Sequence, residues 1–132
     1  GAILPAVGLT LGDQRVTIFQ DPVSGFWGTF PEDLYLNLAS VRPDPDGAEV
    51  RLRLAPSTSM SVGRLPSGAT QVTVTPRGDA TWTVGAMPDG RLWYLVRGLP
   101  STSAYVSSAP LVKSISYTGA DGKRVAYTPV LR

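Results

Sequence analysis

The chain has 132 residues, 42% of them apolar, which is enough to bury a core without covalent staples. No apolar run approaches the roughly 20 residues of a bilayer span, so membrane insertion is not expected. With a formal charge of +2 and no stripe of basic residues, nucleic acid is not an expected partner. The complete lack of Cys and His removes thiol nucleophiles, Ser-His and Cys-His dyads, and thiolate or imidazole metal sites. One domain over residues 1–132 is expected.

Residues 1–8 are mildly apolar but short, with no basic residue before them. They read as neither an intact signal peptide nor an anchor, although the lack of an initial Met leaves room for a lost leader. They are expected to add an edge strand to their own sheet. Residues 9–11 and 15–19 are predicted strands. The segment Gly25-Phe26-Trp27-Gly28-Thr29-Phe30 sets three aromatics between glycines and a proline and reads as a loop.

Residues 31–41 fit two patterns. Leu34, Leu36 and Leu38 alternate as in a strand. Pro31 followed by Glu32 and Asp33, with Leu34, Leu38 and Val41 at helical spacing, fits one short helix; strand is preferred because the neighbours are strands. Asp46-Gly47 then reads as a hairpin turn. Beyond it Val50, Leu52 and Leu54 alternate with Glu49, Arg51 and Arg53, one face buried and one wet.

Val72 and Val74 form the next alternating run, and Pro76-Arg77-Gly78-Asp79 reads as a hairpin tip leading to Ala80, Trp82 and Val84. Asp89-Gly90 predicts another hairpin. The run Leu92–Arg97 is apolar on both faces, the mark of a central strand covered on both sides. Residues 111–117 and 124–130 are strands joined at Asp121-Gly122. Two stretches echo each other, Pro45-Asp46-Gly47 to Pro56-Ser57-Thr58-Ser59 and Pro88-Asp89-Gly90 to Pro100-Ser101-Thr102-Ser103. Shared turn chemistry explains them more simply than duplication.

About eight strands with closely spaced turn signals predict an all-β fold, an antiparallel two-layer β-sandwich. Its broad pattern resembles immunoglobulin-like or jelly-roll-like sandwiches, a likeness that implies no function. The predicted core is Val50, Leu52, Leu54, Val72, Val74, Trp82, Val84, Leu92, Tyr94 and Val96.

Ten acids are the only catalytic candidates left. Asp13, Asp21, Asp44, Asp46, Asp79, Asp89 and Asp121 sit beside Gly or Pro, where turns favour Asp for its local hydrogen bonds. Glu32 and Asp33 follow Pro31, and Glu49 is placed on a wet strand face beside Arg51. No two are placed as an acid and nucleophile pair, so no enzyme, cofactor or metal site is expected, and no small-molecule ligand. Asp44 to Glu49 faintly resembles a calcium loop but lacks its further ligands. Arg77, Gly78 and Asp79 match the tripeptide through which adhesive proteins engage integrins, and an ordinary turn uses the same residues. Phe26, Trp27 and Phe30 either contact a protein partner or stack on a sugar, or else plug one end of the sandwich. The plug is preferred for at least one ring, with Phe26 or Phe30 left as a contact.

These readings predict a non-enzymatic structural or assembly module, such as a virion or cell-surface component that contacts proteins or itself. The alternative is an extracytoplasmic recognition domain of a membrane-tethered bacterial protein, binding a peptide, glycan or protein.

Overall fold

The computed structural model describes residues 4–11, 14–21, 23, 27–30, 35–41, 46–52, 58–98 and 111–129. They contain no helix, only antiparallel strands. In chain order these are β1 (Leu4–Leu11), β2 (Gln14–Gln20), β3 (Trp27–Phe30), β4 (Tyr35–Val41), β5 (Asp46–Leu52) and β6 (Thr58–Arg64). There follow β7 (Thr70–Pro76), β8 (Thr81–Ala86), β9 (Leu92–Arg97), β10 (Val112–Thr118) and β11 (Arg124–Tyr127).

Strands β4 to β11 build the predicted sandwich from a five-stranded sheet, β4-β5-β6-β9-β8, and a three-stranded sheet, β11-β10-β7. The space between them is filled by Leu65, Ala69, Val74, Tyr94, Val96, Val112, Ile115 and Tyr117, all buried. Strands β1-β2-β3 form a third sheet, with β1 at its edge as expected of the N-terminal segment. This sheet lies on the opposite face of the five-stranded sheet. Val16, Ile18 and Trp27 are buried on its inner side, and the bonds of Gln20 and Trp27 to Asp46 set that side against the face of β5-β6-β9 that carries the buried Met60, Val62 and Leu95. Strand β9, between β6 and β8, is therefore covered on both faces, which explains its unbroken apolar run.

Three aromatic rings lie across glycines directly opposite them in register: Tyr94 over Gly63, Trp93 over Gly85 and Phe19 over Gly28. The Tyr94 ring extends further, past β6 to β5. A Cβ on Gly63 would stand 2.5 Å from the ring, and one on Gly47 would stand 2.7 Å from its hydroxyl. Glycine is needed at these positions for close approach, not for an unusual backbone.

Several expectations are corrected. Asp46-Gly47 is not a turn but the start of β5, and Val41 pairs with Gly47. The echo with Asp89-Gly90, which does turn the β8–β9 hairpin, is therefore not structural equivalence. Pro76-Arg77-Gly78-Asp79 is no hairpin tip, because β7 pairs with β10 and β8 with β9; the turn carries the chain from one layer to the other. Trp82 is 42% exposed. It points to the core side, opposite Val96, but β8 is an edge strand and leaves the ring half uncovered.

Val74, Tyr94 and Val96 are buried, and Val72, Val84 and Leu92 pack partly buried against them. The side chains of Val50 and Leu52, and Leu54 altogether, lie outside the described residues. Residues 35–41 form a strand, not a helix. Two strands went unpredicted: β3, inside the presumed loop, and β6, which starts in a segment read as a turn.

Candidate contact surface

Period-two geometry sorts the aromatic segment. Trp27 pairs with Gln20 and Phe30 with Thr17, so the two rings leave β3 on opposite faces. Trp27 is 5% exposed, and its indole N–H donates to Asp46 Oδ1 at 3.3 Å, while Phe30 stands outward with 67% of its surface exposed. Trp27 is thus a plug, and Phe30 is free for contact. Phe26 and Gly25 lie outside the described residues, and Gly28 is strand backbone beneath Phe19.

Asp46 is a junction between layers. Its carboxylate accepts from Trp27 on β3 and from the Gln20 amide on β2, and pairs with Arg64 on β6 at 3.7 Å. Turn chemistry accounts for Asp21, Asp89 and Asp121, each accepting the backbone N–H two residues on. It does not account for Asp46. Asp13, Asp44, Glu32 and Asp33 lie outside the described residues.

Glu49 is not on a wet face. It stands opposite Ser61 on the core side of β5, and its Oε1 accepts the Leu111 N–H at 3.3 Å. Burial pushes its carboxyl up to about 7, although the Ser61 hydroxyl and the Leu111 N–H both favour the charged form. Burial, with Glu49 close by, also raises the Tyr94 hydroxyl above its ordinary range. The expectation failed because alternation finds the two faces of a strand but not that both are covered. Asp46 and Glu49 point to opposite faces of β5, so they do not converge on one cation as a calcium loop requires.

Arg77, Gly78 and Asp79 are all exposed, on a turn closed by the Ala80 N–H donating to the Arg77 carbonyl at 3.4 Å. Gly78 takes a φ of 58°, which glycine adopts without strain. The Arg77 N–H donates to the Leu111 carbonyl at 2.7 Å and ties the turn to the start of β10.

This turn opens onto β8, the most distinctive surface of the molecule. Its sequence Thr81-Trp82-Thr83-Val84-Gly85-Ala86 has no charge and no proline. Its pairing with β9 runs unbroken from Thr81 to Ala86, without a bulge. Among the described residues, nothing pairs with its other side. Edge strands are ordinarily protected by Lys, Pro, a bulge or a cover, because their free N–H and C=O groups template further strands. Strand β8 shows none of the first three, and Thr81, Trp82 and Thr83 are exposed along it.

No protein-family model matches the chain, and neither a curated protein nor a solved structure does.

Proposed function

We propose that this chain is a non-enzymatic structural or assembly module. It makes protein–protein contacts in a larger particle, such as a virion, as a decoration or auxiliary protein, or a cell-surface structure outside the cell. The observation that supports this reading is the open, uncharged edge of β8 with Trp82 half exposed upon it. A tryptophan that is partly buried by its own domain and finished by another is a common anchor of protein interfaces. Phe30 adds a second exposed ring on the edge strand of the first sheet.

Five of the six acids among the described residues fit a non-catalytic role. Asp21, Asp89 and Asp121 bond their own turns, Asp46 joins two sheets, and Glu49 faces the packed interior.

A second reading, an extracytoplasmic recognition domain of a membrane-tethered bacterial protein, is favoured by the exposed Arg77-Gly78-Asp79 turn. Sedimentation velocity from about 1 μM to about 200 μM, where ordinary interfaces form, separates the two. Association that Phe30→Ala or Trp82→Ala weakens supports assembly. A monomer throughout that range removes self-assembly and shifts the weight to the recognition reading.

A further inference from the structure

The open edge also has a definite geometric complement in the molecule itself. We propose that two copies of this chain associate through β8, the strands pairing antiparallel about a twofold axis between the two Thr83 residues, so that the five-stranded sheets join edge to edge. The proposal rests on the assembly reading above and names its partner.

An edge-to-edge twofold keeps the two faces of the sheet aligned, so residues meeting across it must point to the same side. Centring on Thr83 meets this condition. It sets Thr83 against its own symmetry mate, Trp82 against Val84, and Thr81 against Gly85. Trp82 and Val84 both point to the core side of the sheet, as their partners Val96 and Tyr94 show. An aromatic opposite a β-branched residue is a favourable cross-strand pair, and the symmetry supplies it twice. The ring surface that β8 leaves uncovered at Trp82 gains its missing neighbour.

Charge agrees with this register. The strand itself brings no like charges together. At its ends, the turn bearing Arg77 in one copy meets the turn bearing Asp89 in the other. Both residues are exposed, and the pairing of opposite charges occurs at each end. Shifting the axis to Val84 instead sets Trp82 against Ala86, which loses the pairing of an aromatic with a β-branched residue.

The test is charge complementation at the axis. Thr83→Lys and Thr83→Asp each place two like charges face to face, and each should weaken the dimer about a hundredfold. An equimolar mixture of the two variants should dimerise again, because Lys then faces Asp. Thr83 is exposed, so both variants should keep the wild-type circular dichroism and, at concentrations where wild type is monomeric, its melting temperature. Arg77→Asp, in an exposed turn, probes the same contact independently and should weaken it about tenfold. A wild-type dimer that persists in all three variants overturns this interface while leaving assembly standing. A variant mixture that stays monomeric overturns the Thr83 register. A wild type that is monomeric up to about 200 μM overturns the interface and removes self-assembly, leaving contacts with other proteins to carry the assembly reading.

Discussion

Glu49 ties a proton to the folding equilibrium. The unfolded carboxyl ionises near 4.5, whereas burial in the fold raises it to about 7. Between those values the folded chain keeps a proton that the unfolded chain has lost, so stability falls as pH rises. The penalty is absent below the unfolded value, and complete above the folded one. A shift of this size corresponds to about 3 kcal/mol. Denaturant titrations at about pH 5 and about pH 8 should therefore show wild type losing about 2–3 kcal/mol more than Glu49→Gln, which keeps the shape without the charge. Parallel behaviour of the two proteins would mean that Glu49 ionises freely in the fold.

The pairing of β6 with β9 depends on what β6 lacks. Ser61 and Gly63, both buried, leave a shallow strip across which the Tyr94 ring lies. Gly63→Ala would put a methyl group 2.5 Å from that ring, so either the ring or the strand must move. Overpacking of this kind costs about 2 kcal/mol. In a Tyr94→Ala background the same change should cost little, because the crowding partner is gone. Thermal melts of the two single variants and the double variant measure that coupling. Equal costs in both backgrounds would show that glycine serves the backbone of β6 and not the ring.

Across the whole molecule, the first three strands are joined to the sandwich by apolar packing around Trp27 and by the Asp46 carboxylate. Asp46→Ala deprives the Trp27 indole and Arg64 of their shared acceptor, which costs about 2 kcal/mol for lost hydrogen bonds to a charged group. The loss should also be local. Amide exchange should accelerate first in β2 and β3, while β9 and β10, whose neighbours lie on both sides, retain protection. Uniform loss of protection across all the strands would show that the three sheets open as one unit.

What the sequence determined by itself is what short-range rules govern. Period-two alternation marked the strand through Val74, an unbroken apolar run marked the one through Tyr94, and the Asp-Gly pairs at 89–90 and 121–122 marked hairpins, because positive φ is a local demand. The same signal failed at Asp46-Gly47, where glycine answers to a tyrosine far along the chain. Strand β6 was hidden for a related reason. Ser61 and Gly63 look like loop residues until Tyr94 is laid over them. The candidate site divides the same way. Three aromatics in a short segment were visible, but only strand register decided that Trp27 turns inward and Phe30 outward. The open edge at β8 was invisible because any alternating run looks alike, whether central or marginal. Strand order is set by long-range pairing, and that order alone left Trp82 half exposed and β8 without a neighbour among the described residues.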